Sequence, residues 1–345
     1  MDKPAGTKLA VIWGASVLLI AAAIYISLTN GVFDMGVMDV IRTLLRIDPV
    51  PEHDLVIFDF RLPRIVIAGL VGMSLGVAGA VVQGITRNGL ADPGILGINA
   101  GAGFGIVAFM FLFQGQLKSA DWMSVFSMPL FGWIGGVGTA LIIYWLSRHN
   151  GVLDTQRLLL VGIAIGSGMG AGTLYLSLKM DAQDFEMATV WLTGSIWNAD
   201  WSHITSMLPW IVLLLPLLIR KAYYLDLFQL SEQSVISLGV ATDKERNILL
   251  LASIGLISAC VSVSGNIGFV GLIAPHVAKR IVGVRHLRVL PLSGAIGMLL
   301  VIVSDFIAKT VFTPVELPVG IVISIIGVPY FFYLLARAKR KGGKA

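Results

Sequence analysis

The sequence predicts an all-α polytopic membrane protein with ten transmembrane helices and both termini in the cytoplasm. Three observations predict it. Of 345 residues, 56% are hydrophobic and only 13% charged, with a mean hydropathy of +0.86; a soluble domain of this size has no interior large enough for so much apolar surface. The apolar residues fall into ten segments, near 9–29, 62–83, 94–113, 128–147, 157–178, 200–219, 247–264, 266–282, 289–311 and 319–337. With both ends inside, eighteen of the 25 Lys and Arg residues lie on the cytoplasmic side and seven on the outer side, as the positive-inside bias requires. That placement explains a pI near 9.3 without nucleic acid as a partner.

Each element follows from local chemistry. The first segment follows Lys3 and Lys8, and Ala21-Ala22-Ala23 offers small residues for cleavage. Its apolar run is longer than the roughly 7–15 residues of a signal sequence, so it reads as a retained helix. Residues 31–60 form an extracytoplasmic loop with a short surface helix at 37–46. The segment near 62–83 contains GLVGMSLGVAG, with Gly72 and Gly76 in G-x-x-x-G register, and GAGFG (101–105) and GIAIGSGMGAG (162–172) follow. Such glycines suit close helix packing and also a smooth wall along a pathway. Residues 179–199 form an outer loop whose Trp191 and Trp197 suit a membrane interface. The longest inner loop is 221–246. No soluble domain remains, and residues 1–345 make a single membrane domain.

The segment SGNIGFVGLIAPHVAKRIVG (264–283) is oily but short and broken. From Gly265 to Ile281 it makes roughly 25 Å of helix against a hydrocarbon core of about 30 Å. Pro275 removes the hydrogen bond to the carbonyl of Gly271, and a freed carbonyl is tolerated in a membrane only beside protein or a water-filled cavity. This places the segment inside the bundle, near a pathway. In the next span, Asp305 and Lys309 stand i, i+4 on one helix face, where each can neutralise the other.

Catalytic signals are lacking. The sequence has neither a P-loop motif nor H-E-x-x-H, its five histidines are scattered, and its one cysteine, Cys260, lies in an apolar run. Thus no nucleotide cradle, metal centre, disulfide or cofactor site is expected. Ser264 and His276 lack the spacing for a hydrolytic pair. A secondary transporter driven by protons or sodium would need more buried acids than Asp305 supplies.

Residues 61–105, RLPRIVIAGLVGMSLGVAGAVVQGITRNGLADPGILGINAGAGFG, resemble the FecCD/BtuC-type permeases of bacterial ABC importers for iron–siderophores, haem and vitamin B12. The match to R-L-P-R, G-x-x-x-Q and N-P-L-A-D/E-P is close, with Gly89 where the family usually has proline. WLTGS (191–195), SLGV (237–240), residues 265–283, 286–309 and 316–335 extend it over nearly the whole chain. The resemblance implies a BtuC-like permease fold in the bacterial cytoplasmic membrane, without enzymatic activity of its own. It also implies two ABC ATPase subunits, a second permease subunit (identical or paralogous), an extracytoplasmic substrate-binding protein, and a ferric siderophore as cargo. Haem and cobalamin are the family's other cargoes.

By the same resemblance, Arg61, Arg64 and Lys309 receive glutamates of the binding protein. Reversing both arginines to glutamate is then expected to abolish uptake while leaving assembly with the ATPase intact. Loop 221–246 couples to the ATPase through Leu230, Ser231, Glu232, Leu238 and Gly239. Its apolar residues Leu227, Phe228, Leu230, Ile236 and Leu238 would give a partner-facing oily side, and Ser231-Glu232 replaces the family's usual Gly-Glu. Gly166, Gly170, Gly268, Gly271, Pro275, Gly320 and Ser324 are the expected pathway residues.

Overall fold

The computed structural model describes residues 5–31, 33, 35–47, 50–92, 94, 97–113, 122–149, 152–197, 199–312 and 315–342. It is a helical bundle. In chain order the helices are α1 (Ala5–Thr29), α2 (Val37–Leu44), α3 (Pro51–Asp54), α4 (Leu62–Thr86), α5 (Ile98–Leu112), α6 (Trp122–Leu146), α7 (Thr155–Ser177) and α8 (Ala182–Leu192). They continue with α9 (Trp201–Arg220), α10 (Ala222–Leu227), α11 (Glu232–Ser237), α12 (Thr242–Ser264), α13 (Val270–Val282), α14 (His286–Thr310) and α15 (Val319–Gly342). Each of the ten expected spans corresponds to one of these, and the surface helix expected at 37–46 is α2. Among the described residues, eight helices are long and apolar enough to cross a bilayer, while Ile98–Leu112 is shorter. Arg148–His149 and Val152–Leu153 form a two-residue antiparallel pair between α6 and α7.

The core is built around α4, most of whose residues are buried. It packs on α12, α13 and α14, and glycine makes this possible. A Cβ at Gly72 would lie 2.2 Å from the Gly297 carbonyl oxygen, at Gly76 2.3 Å from that of Ser293, and at Gly79 2.1 Å from that of Gly271. Positions 72, 76 and 79 share one helix face, so α4 meets its neighbours backbone to backbone. Gly105 of α5 does the same against α6, where its Cβ would lie 2.3 Å from the Phe131 carbonyl oxygen, and a Cβ at Gly101 would reach Thr139 Oγ1 at 2.2 Å. In α7 a Cβ at Gly168 or Gly170 would meet nothing within 4 Å, whereas one at Gly172 would lie 2.9 Å from the Phe104 ring. Packing accounts for the first two glycine runs, and open space for Gly168 and Gly170 of the third.

Two elements depart from expectation. The outer loop 179–199 contains α8, whose C-terminal end turns inward, so that Trp191 is only 8% exposed; Trp197, at 62%, keeps an outward position. Residues Leu55–Arg61 form a π-helical stretch that joins α3 directly to α4. Pro63 donates no N–H back into this stretch, and the Phe58 carbonyl there accepts from Trp201 Nε1 at 2.8 Å.

Candidate functional site: an outer ion cluster, a central seam and an inner coupling loop

The outer ends of α1, α4 and α14 are joined by ions. The Arg61 guanidinium is buried and donates to the carbonyls of Leu28 and Phe33. Arg64 Nε donates to both oxygens of Asp305 (2.9 and 3.1 Å), and Arg64 Nη1 donates to Glu316 Oε2 at 2.8 Å. Lys309 Nζ donates to Ser27 Oγ at 2.8 Å and to the Ser27 carbonyl at 3.1 Å. The ion pair of buried Asp305 is thus made across helices with Arg64, beyond the i, i+4 proximity of Lys309 that spacing suggested. This alters one expectation. A glutamate at 64 would face Asp305 and Glu316, and one at 61 would face two carbonyls, so double reversal would damage the fold itself, ATPase assembly included.

The central seam is where chain breaks meet. Gly265 ends α12 with φ +67°, and its missing Cβ would lie 2.0 Å from the Trp191 carbonyl oxygen. Both conditions demand glycine. Residues 265–269 then run without helix to α13, with Phe269 also at positive φ (64°). The Gly320 N–H at the start of α15 donates to the Gly194 carbonyl at 2.9 Å, and Asn99 Nδ2 of α5 donates to Asn266 Oδ1 at 2.6 Å. The ends of α5, α8, α12, α13 and α15 therefore converge on the WLTGS turn and the SGNIG break. Beside them lies a cleft of about 610 Å³, walled by Asn99, Gly170, Thr173, Thr189, Asn266 and Gly268 among others.

The expected pathway residues divide at this seam. Gly170 and Gly268 stand on the cleft wall, with nothing within 4 Å of a Cβ at either; Gly166 lies beside Gly97, its Cβ position 3.4 Å from that residue's Cα. Gly271 and Pro275 are buried, Gly271 against Gly79 of α4. Gly320 is wedged against Thr193, and Ser324 Oγ donates to the Gly320 carbonyl at 2.7 Å. Gly271, Pro275 and Gly320 are thus packed within the chain, whereas Ser324 is partly exposed and bonds within its own helix. The carbonyl freed by Pro275 has a partner: Gln83 Nε2 donates to Gly271 O at 3.2 Å, and Lys279 Nζ donates to Gln83 Oε1 at 3.0 Å. Ser264 Oγ donates to the Cys260 carbonyl at 2.9 Å, and the His276 ring packs edge-on against Tyr330. Neither forms part of a hydrolytic site.

On the inner side the loop folds as two short helices. Ser231 is the N-cap of α11, its Oγ accepting from the Ser234 N–H at 3.3 Å. Serine there begins the helix well, which accounts for the first turn where glycine was expected. Leu230, Ile236 and Leu238 are 46%, 59% and 63% exposed, whereas Phe228 is buried; the oily side thus excludes Phe228, which packs inward because α10 lies on α4 and α14. Gly239 has φ +77° with open space around it. The backbone of Glu232 opens α11, but its side chain lies outside the described residues. Asp226 Oδ1 of α10 accepts from the His286 N–H (2.9 Å) and lies 2.6 Å from His286 Nδ1 at the start of α14.

Sequence reading missed Asn99, Gln83, Asp226, His286 and Glu316. Gln83 stood within the quoted G-x-x-x-Q motif and was the one with a usable signal.

Residues 18–337 match the model of the FecCD transport family. The chain is 55% identical over 324 residues to the iron-uptake system permease protein FeuC of Bacillus subtilis, covering 94% of this chain and 96% of that one. It is 44% identical to the iron(3+)-hydroxamate import system permease protein FhuG of the same organism, covering 95% and 97%. A solved structure of a transporter assigned to the metal-chelate ABC type, in an inward-facing conformation, superposes with a TM-score of 0.82 at 27% identity over 95% of this chain and 99% of that one. Eight membrane-length helices among the described residues, the shorter α5 and α13 beside them, and this coverage lead to one conclusion: the chain belongs to the FecCD transport family, as a multi-pass permease subunit of an ABC importer in the cytoplasmic membrane.

Proposed function

We propose that this permease passes a ferric siderophore, a hydroxamate or catecholate chelate, across the cytoplasmic membrane. A separate pair of ABC ATPases drives it, an extracytoplasmic binding protein supplies the cargo, and a second permease subunit, identical or paralogous, completes the conduit. The observation that carries this reading is the cleft of about 610 Å³ at the helix breaks, whose wall mixes glycine with Asn99, Thr173, Thr189 and Asn266. Leu174, Phe185 and Leu192 complete the wall, which thus joins an apolar surface to a few neutral hydrogen-bonding groups; that suits a bulky chelate and provides no chain of acids for an ion-coupled cycle. The identities to FeuC and FhuG support iron chelates as cargo over haem or cobalamin.

Three regions divide the work. Arg61, Arg64 and Lys309 form the outer dock for the binding protein. Leu230, Ser231, Glu232, Leu238 and Gly239 form the contact with the ATPase, where Leu230, Ile236 and Leu238 give an exposed apolar face for a partner cleft. The seam between them opens and closes the cleft. ATP is consumed elsewhere, and the permease makes or breaks no covalent bond. The test is uptake of radiolabelled iron, as ferric hydroxamate and as ferric catecholate, into proteoliposomes holding the reconstituted transporter and its binding protein. ATP-dependent accumulation of one chelate is expected. Accumulation driven by a proton or sodium gradient, with no ATPase present, would refute the reading.

A further inference from the structure

Arg64 is shared between two carboxylates of unequal standing. Asp305 is 2% exposed at the side chain and gives both oxygens to Nε; Glu316 is 28% exposed and gives one oxygen to Nη1. Buried Asp305 has only this environment to neutralise it, so it is the permanent counterion. Glu316 is partly exposed, so its ion pair is more screened and more readily exchanged than that of Asp305. Arg61 and Lys309 beside it are held by partners of their own, among them the Leu28 and Phe33 carbonyls and Ser27. A carboxylate arriving from outside would compete with Glu316 for Arg64 Nη1, leaving Asp305 in place.

The position of Glu316 gives that exchange a consequence. It lies in the link between α14 and α15, three residues before Val319. Leu317 N–H ties the link to the Ala308 carbonyl at 3.3 Å, and Gly320 N–H ties the start of α15 to the Gly194 carbonyl at 2.9 Å. One short run of chain thus connects the outer ion cluster to the central seam.

We propose that Glu316 is a resident stand-in for a carboxylate of the docking protein. An incoming glutamate or aspartate displaces it from Arg64 Nη1, and the freed link loosens the first turn of α15 from the WLTGS turn. Docking and release of the seam are then one exchange of carboxylates. This rests on the reading that the outer cations receive the binding protein, and the test separates the two.

The assembled transporter in nanodiscs, permease and ATPase together, is titrated with its cognate binding protein. Glu316→Gln removes the internal competitor while keeping its shape, and is expected to tighten binding about two- to fivefold, the range open to a partly exposed pair. Arg64→Lys keeps the charge that Asp305 needs but loses the fork, and is expected to weaken binding. In a Cys260→Ser background, a nitroxide on Val315→Cys, a position 69% exposed, reports the link. Binding protein should mobilise this label in the otherwise unaltered chain, and Glu316→Gln should mobilise it without binding protein. If Arg64→Lys weakens docking while Glu316→Gln changes neither affinity nor label, the stand-in is refuted and the dock survives. Weaker binding by Glu316→Gln also refutes it, since Glu316 would then belong to the dock. Docking indifferent to Arg64→Lys removes the dock itself, and the stand-in with it.

Discussion

Gly320→Ala is the sharpest probe of the seam. A Cβ at Gly320 would lie 2.2 Å from the Thr193 carbonyl oxygen and 3.3 Å from that of Asn266. The first contact must open by roughly 1 Å to become an ordinary one, and both neighbours are backbone atoms that cannot rotate away. Moving α15 that far breaks the 2.9 Å bond from Gly320 N–H to Gly194 O. Overpacking of this kind costs about 1–3 kcal/mol, and a buried donor left without its acceptor costs about 1–3 kcal/mol more. A loss of about 2–6 kcal/mol is expected. The assay is reversible unfolding in mixed micelles with increasing dodecyl sulfate, followed by tryptophan fluorescence, to which Trp191 beside the seam contributes. Gly138→Ala is the control, since its Cβ would meet nothing within 4 Å; in a helix interior it should be neutral or stabilising by up to about 1 kcal/mol. If Gly320→Ala unfolds within 0.5 kcal/mol of the unaltered protein, about the scatter of surface substitutions, close packing at the seam is refuted.

Other expectations follow from single contacts. Arg64→Ala should lower stability by about 3–5 kcal/mol by stranding buried Asp305, and Arg64→Ala with Asp305→Asn should recover much of that loss in the same unfolding assay. Gln83→Leu leaves the Gly271 carbonyl and Lys279 without their shared partner and should cost about 1–3 kcal/mol. Ile236→Asp and Leu238→Asp alter exposed side chains, so stability should stay within about 0.5 kcal/mol while co-purification with the ATPase is lost; retained co-purification would remove α11 from the contact. Gly239→Ala, at φ +77°, should cost about 1 kcal/mol of local stability and lower ATPase coupling in proteoliposomes.

The spans were legible because a bilayer permits few solutions: every backbone group inside it must be satisfied, so length, apolarity and flanking cations fix the helices. The break at Pro275 was legible for the same reason, since a freed carbonyl in a membrane requires a donor. The donor itself was not. Gln83 lies 188 residues from Gly271, and Arg64 lies 241 from Asp305; helix periodicity carries no information about such pairs. Local spacing offered Asp305 the cation on its own helix, and the fold placed a guanidinium against it. Helix α8 was hidden because its eleven residues are too few and too polar to read as a span, while its end is held by contacts with Gly265 and Asn266.

The glycine face shared by α4 and α14 restricts how the molecule can work. Two rods whose main chains touch at Gly72–Gly297 and Gly76–Ser293 have no side-chain cushion to slide on. They travel as one girder, with Asp305 anchored to Arg64 at one tip and His286 hooked to Asp226 at the other. A tug on α10 is therefore passed along that girder towards the far surface, and a hinge is expected in the pieces hung around it: α5, α7, α8, residues 265–269, and α15.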